Sequence, residues 1–369
     1  MSRWAWADVD LGAVRHNVEV LCAAAAPAAV WAVVKADGYG HGAAPIAGAA
    51  LAGGARGLCV ALAQEGVALR AAGFDCPILV LSEQPPSELV DAVRAGLELT
   101  VYSFAQLHAI AEAGGRDHRV HLKIDTGMRR VGAAADEALA LAAAIDASPA
   151  VRLAGLCTHL AVADEPADPY NAVQIEAFDD VVTALAVAGY RAPLVHAANS
   201  AAALALPDAR FDMVRAGIAV YGISPGPAID GFAEALRPAL MLRARVAHVK
   251  KVRAGDRISY GLRHLFDADT TVATIPIGYA DGVPRRLFAT GGAVLIGGRR
   301  RPIVGVVTMD QLMVDCGADG VAIGDDVVLI GVQDGESITA DDWAEQLDTI
   351  GYEVVCGLSA RIERRYTSA

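Results

Sequence analysis

The chain has 369 residues, is 54% hydrophobic with much of that alanine, and sets 31 basic against 43 acidic residues for a formal net charge of −12. That apolar content excludes intrinsic disorder and can fill two domains. The acidic balance argues against a nucleic-acid surface and against an anionic membrane. Six cysteines, Cys22, Cys59, Cys76, Cys157, Cys316 and Cys356, include no CxxC pair and read as reduced thiols rather than a disulfide framework. No metal site is expected. The first ten residues lack a signal-peptide core, and the longest uncharged apolar run, 20–34, is too short to span a bilayer and is broken by Pro27. A soluble cytoplasmic protein is the expectation.

Along the first 222 residues a short apolar segment, a polar turn and an alanine-rich helical stretch recur. Strands are expected at 30–37, 57–63, 77–83, 98–103, 120–126, 153–159, 194–199 and 213–221. Runs such as WAVVKAD and PILVLSE are largely uncharged, as suits parallel strands covered on both faces. Helical stretches include 86–95, 104–114, 136–147 and 173–189. Eight such units predict an α/β fold, a (β/α)8 TIM-type barrel. An open doubly wound sheet is the alternative, but no GxGxxG follows a strand.

From about residue 236 the pattern becomes short strands at 240–252, 271–277, 292–296, 303–307, 312–316 and 326–331, split by Gly and Pro turns. One helix is expected there, near 339–346, with Thr339 as N-cap. This predicts a mostly-β C-terminal domain over 236–369 after a barrel over 1–235, joined through the Pro/Gly-containing stretch 224–238.

In a barrel of this kind, function gathers at the C-terminal ends of the strands. The first strand ends in VVKADGYGHG, where Lys35 follows an apolar run that would desolvate its amine and favour a nucleophile or base. The fifth ends in HLKIDTGMRRVG, with Lys123 and Arg130 across a glycine turn. The sixth ends at His159, the seventh in His196-Ala197-Ala198-Asn199-Ser200, and the eighth carries Arg215-Ala216-Gly217-Ile218. A serine and a glycine turn on the last two strands are where barrels commonly bind phosphate. Each residue alone has an ordinary structural reading: surface lysine, core histidine, salt-bridge arginine, helix-capping serine. Together they suggest a phosphate-bearing carbonyl cofactor with a lysine for a Schiff base.

At this point VVKADGYGHG resembles the cofactor-lysine signature of alanine racemases. The resemblance continues in order through LKIDTGMRRVG, THLAVADE, HAANSAA, MVRAGIAVYG, ISYG, IPIGYADGVPR, TMDQLMVD and YEVVCGLSARIERRY. It implies a fold-type-III pyridoxal 5'-phosphate (PLP) enzyme that interconverts L- and D-alanine and supplies D-alanine for peptidoglycan. It also implies a head-to-tail homodimer whose Tyr260 acts in trans. Carried over, Lys35 would bear PLP and act as one base, and Tyr260 as the opposing base. Tyr39, Ser200, Gly217, Ile218 and Tyr352 would hold the phosphate, with Asn199 beside them. Arg215 would face the pyridine nitrogen, with His159 against the ring. Arg130 would approach the phenolic oxygen and the substrate, positioned by Lys123, which relatives often carry carbamylated. Met309 and Asp310 would line the substrate site.

Two positions depart from that family's usual pattern. Thr308 stands where a cysteine is common, and Gly305-Val306-Val307 lacks an arginine common at the channel mouth. Rival readings are a broad-specificity racemase, a related decarboxylase or aldolase, and a non-enzymatic PLP carrier. The TMDQ and ISYG motifs disfavour the decarboxylase. The β domain and its Tyr260 would be unexplained in a carrier.

Overall fold

The computed structural model describes residues 4–368. The described chain divides into two compact units. One holds the residues up to Gly12, Tyr39–His41 and those from Pro238 onward; the other holds Ala13–Gly38 and Gly42–Arg237.

The second unit is an eight-stranded parallel sheet. Its strands are Ala29–Val33, Gly57–Val60, Ile78–Val80, Glu98–Val101, His118–Lys123, Val151–Cys157, Leu194–His196 and Met213–Ala216, each close to a segment expected from sequence. Neighbours in sequence pair in order, and the last strand pairs back onto the first. The Asp212 amide on the Val195 carbonyl (3.0 Å) and the Arg215 amide on the Ala198 carbonyl (3.0 Å) tie the seventh and eighth strands and close the barrel. Helices such as Pro86–Arg94, Phe104–Glu112, Ala138–Ala147 and Tyr170–Val187 cover it. Most strand residues are buried, including the polar Glu98, His121, His196 and Arg215. Glycines make room for the large interior side chains. Trp31 lies in register with Gly57 on one side and Arg215 on the other. A Cβ on Gly57 would stand 2.6 Å from the Trp31 ring.

The first unit is mostly β, as expected, with a core of Val252, Ile258, Phe266, Val272 and Val304. Its boundaries hold a difference from the linear reading. The strand Ala5–Asp10 pairs antiparallel with Leu240–Arg245 and parallel with Glu363–Thr367, so the N-terminus folds with the β unit. Those partners lie more than two hundred residues downstream, and no local pattern announces them. The expected strand at 303–307 is also absent. Ile303 makes only an isolated bridge to Val314, and Gly305 at φ 70° turns the chain away. Beyond the expected helix, seen as Ala340–Leu347 and capped by the Thr339 hydroxyl on the Asp342 amide (2.9 Å), a second helix spans Gly351–Cys356 and packs against it.

Candidate active site

Lys35 follows the first barrel strand by two residues and is half-buried. Behind it the backbone enters a left-handed turn, with φ of 53° at Ala36, 51° at Asp37 and 61° at Gly38. Positive φ continues at Tyr39 (50°) and Gly40 (78°). Left-handed residues other than glycine cost about 1–2 kcal/mol each, so surrounding contacts must hold them. Here they do. The Gly38 amide donates to the Val34 carbonyl (2.9 Å), and the Ala43 amide to Asp37 Oδ1 (2.9 Å). The Ala36 amide donates to Glu65 Oε1 (2.7 Å), while Glu65 Oε2 accepts from Ala61 (2.9 Å) and Leu62 (3.0 Å). One carboxylate therefore pins the lysine turn to the end of the second strand. Sequence reading did not single out Glu65.

The other barrel residues named from sequence meet around His159 and Arg215. Burial holds the His159 ring well below its ordinary pKa, and the positive charges of Arg215, Lys123, Arg130 and Lys35 push it the same way. Four cations from three strand ends thus act on one ring. Lys123 is itself lowered, first by burial and further by Arg215 and Arg130, against Cys157 and Asp125, which raise it. Arg215 is buried, and its guanidinium is anchored on four acceptors. Nη2 donates to the Thr158 carbonyl (2.9 Å), the Ala197 carbonyl (2.8 Å) and His159 Nδ1 (3.2 Å), and Nη1 donates to His196 Nδ1 (2.6 Å). Every one of these partners is neutral, so the positive charge is oriented but not cancelled.

The phosphate candidates also assemble. Asn199 caps the short helix Ser200–Ala205 by accepting from the Ala202 amide (3.0 Å). The buried Ser200 hydroxyl accepts from the Gly217 amide (2.8 Å) and the Ala219 amide (3.3 Å). Serine and glycine turn are thereby fixed to each other, with amides converging at the ends of the seventh and eighth strands.

The remaining candidates belong to the β unit. Tyr39 and Tyr352 face each other there with ring centroids 6.2 Å apart. Gly40 beside them cannot be replaced by a larger residue, because its Cβ would stand 2.3 Å from the Val355 carbonyl oxygen. Tyr260 sits in a tight turn between Ser259 (φ 65°) and Gly261 (φ 73°) and is 71% exposed. The Ser259 hydroxyl donates to the Val306 carbonyl (2.7 Å), anchoring that turn. Met309 and Asp310 are exposed, and Arg361 donates to Asp310 Oδ1 (2.7 Å). Thr308, one of the departures, bonds both ways with Gln311: its hydroxyl donates to the carbonyl (2.8 Å) and accepts from the amide (3.2 Å). A cysteine would hold that turn less well.

PLP carries a phosphate, a phenolic oxygen and a ring nitrogen that can accept a hydrogen bond. The donor set at the barrel strand ends fits such a group: a lysine amine, uncancelled arginine and lysine charge, and a serine–glycine amide turn. Among the described residues, no group of His, Cys, Asp and Glu is arranged to hold a metal ion, and no helix is long and apolar enough to cross a membrane.

The comparisons agree with this architecture. The family model for the alanine racemase N-terminal domain matches residues 9–225, and that for the alanine racemase C-terminal domain matches 239–366. An alanine racemase of Thermobifida fusca is 46% identical over 376 aligned positions, covering all of both chains. One of Symbiobacterium thermophilum is 47% identical, covering 98% of this chain and 96% of its own. The crystal structure of alanine racemase from D-cycloserine-producing Streptomyces lavendulae superposes with a TM-score of 0.93 at 39% identity, covering 100% of this chain and 98% of that one. Full-length similarity at this level, over both halves of the fold, makes this chain a member of the alanine racemase family.

Proposed function

We propose that the protein racemises alanine between its L and D forms with PLP as cofactor, supplying D-alanine for peptidoglycan synthesis. The observation that carries this reading is the convergence of Lys35, Lys123, Arg130 and Arg215 on His159 beside the Ser200–Gly217 turn. The family's activity and the bacterial relatives carrying the alanine racemase name support it.

Lys35 would hold the cofactor through its amine. Ser200, Gly217, Ile218, Tyr39 and Tyr352 would hold its phosphate with Asn199 alongside. Arg215 would face the ring nitrogen, His159 the ring, and Arg130 the phenolic oxygen. When bound, PLP supplies an electron sink for the negative charge left when the Cα proton departs.

The chain's own residues move the proton. Inversion requires removal from one face and return on the other, and one base does not reach both. The Lys35 amine takes or returns the proton on one face, and the Tyr260 phenolic oxygen does so on the opposite face. Both side chains ordinarily titrate near pH ~10. Desolvation lowers a lysine, whereas a tyrosine base needs positive charge nearby. Arg215 has no proton it readily gives up, so it donates hydrogen bonds without acting as an acid. Met309 and Asp310 would border the substrate, with Arg130 drawing its carboxylate. We also propose that Lys123 carries a carbamate: its lowered pKa favours the neutral amine that reacts with carbon dioxide, releasing a proton, and the product would be an anion beside Arg130 and Arg215.

The exposure of Tyr260 supports its use by a second copy of the chain in a head-to-tail dimer, where two-fold closure makes two equivalent sites. We place the enzyme in the cytoplasm.

The test is circular dichroism of L-alanine added to PLP-loaded protein, with Lys35→Ala alongside. Decay to zero with D-alanine confirmed by chiral chromatography, and no change with the variant, is the expected result. A flat trace from protein that retains PLP would overturn the reading. Serine and lysine run next distinguish a narrow from a broad racemase.

A further inference from the structure

Behind Arg215 a single file of polar side chains crosses the barrel interior. Arg215 Nη1 meets His196 Nδ1 at 2.6 Å, His196 Nε2 meets His121 Nδ1 at 2.8 Å, and His121 Nε2 meets Glu98 Oε2 at 2.7 Å. Glu98 Oε1 forms an ion pair with Arg119 at 2.5 Å. Glu98 opens its strand at the N-terminal rim, while His196 and Arg215 stand near the C-terminal ends of theirs. The file therefore spans the barrel from the rim opposite the active site to the guanidinium that faces it. Room for it is built in. His121 lies in register with Gly155, where a Cβ would stand 2.2 Å from the His121 ring nitrogen.

The proton positions follow from donor chemistry. A guanidinium only donates, so its bond to His196 holds only while Nδ1 of His196 accepts and the ring carries its hydrogen on Nε2 instead. That nitrogen then donates to His121 Nδ1, which leaves the His121 hydrogen on Nε2, facing a carboxylate that only accepts. Both ends demand the same direction. Protonating either ring would set two donors against each other. Burial pulls both rings below their ordinary pKa, with the Arg215 charge adding to it. Burial alone would raise the Glu98 carboxyl, but the hydrogen bond from His121 and the Arg119 guanidinium bring it net below its ordinary value.

We infer that Glu98 is a remote positioning residue: it fixes both histidines in the Nε2–H tautomer and so keeps an acceptor aimed at Arg215, which holds the guanidinium in its working orientation. The catalytic part of this inference rests on the racemase reading; the tautomer part does not.

Neutron diffraction from deuterium-exchanged crystals of the purified protein tests it directly. Wild type should show deuterium on Nε2 alone in His121 and His196. Glu98→Met removes the terminal acceptor and should put deuterium on Nδ1 of one or both rings and lower kcat about tenfold with KM unchanged. Glu98→Gln should restore the wild-type pattern, because its carbonyl oxygen can accept from His121 Nε2 while Arg119, whose side chain is 37% exposed, swings away from the new amide toward water. Deuterium on Nδ1 of either ring in wild type would overturn the inference, whatever the variants do. So would a retained pattern or a retained kcat in Glu98→Met. Should Glu98→Met fail to fold, the wild-type and Glu98→Gln crystals decide. Should alanine prove not to be the substrate, the deuterium positions still decide.

Discussion

Glu65 provides a severe test of how the lysine turn is held. Its carboxylate accepts three amide hydrogen bonds, at 2.7 Å from Ala36, 2.9 Å from Ala61 and 3.0 Å from Leu62. A hydrogen bond to a charged group contributes about 1.5–3 kcal/mol when well buried. Glu65 is half-exposed, and water can re-solvate some of the three amides after truncation. Glu65→Ala should therefore destabilise by about 2–3 kcal/mol, well short of the sum. The effect on activity should be larger than stability implies. Ala36, Asp37 and Tyr39 are held left-handed at about 1–2 kcal/mol each, and the Ala36 amide is the turn's link to the second strand. Released, the turn relaxes toward ordinary backbone and carries Lys35 with it; a shift of about 1 Å at a reacting group lowers rate on the order of 10²-fold. Urea unfolding and steady-state racemisation in both directions measure the two effects. Glu65→Gln, which keeps one accepting oxygen, should fall between. A Glu65→Ala protein with wild-type kcat/KM would refute the idea that this carboxylate holds the lysine in place.

Gly155→Ala should destabilise by about 2–4 kcal/mol, since its Cβ would overlap the His121 ring at 2.2 Å and displace a buried hydrogen-bonded histidine; an unchanged urea midpoint would contradict the packing. Tyr260→Phe should lower kcat by about 10²-fold or more through loss of one proton carrier, and a change within the scatter of the assay would remove that tyrosine from the mechanism. Mixing Lys35→Ala with the impaired Tyr260→Phe should raise activity above the sum of the two as hybrid dimers form, because one of the two sites then receives both intact groups. No recovery despite exchange of subunits would mean that both bases act within one chain. Stability should fall with acidification. His118, His121, His159 and His196 are all pulled below their ordinary pKa, chiefly by burial, so below pH ~6.5 the unfolded chain binds protons that the native state does not. Each group then contributes a slope of up to about 1.4 kcal/mol per pH unit, and the contribution is flat above that window. An apoprotein urea midpoint as high at pH 5.5 as at pH 7.5 would rule this out.

The barrel was legible in the chain because most strands are short, largely uncharged runs between turn residues, and eight of them at regular spacing admit few other packings. The motifs at the strand ends were legible for the same reason: position along a strand says which end faces the turn. What the linear order could not carry is pairing over long distances. The strand Ala5–Asp10 finds its neighbours at Leu240–Arg245 and Glu363–Thr367, and Tyr39, four residues after Lys35, folds with the β unit, because hydrogen-bonding groups are satisfied in space rather than in sequence. Arg299–Pro302 shows no alternation at all and is a strand only because Ala293–Ile296 accepts it. Glu98 and His121 read as polar residues in strands, with nothing local to say whether they face helices or the barrel axis. Closure of the sheet decides that, and Gly155 leaves His121 the room to do it. By itself, the order of residues determined which elements form and which chemical groups stand at their ends. Tertiary structure decided which buried charges share an environment, since a low-dielectric interior accepts a glutamate, two histidines and an arginine only where each finds the donor or acceptor it lacks.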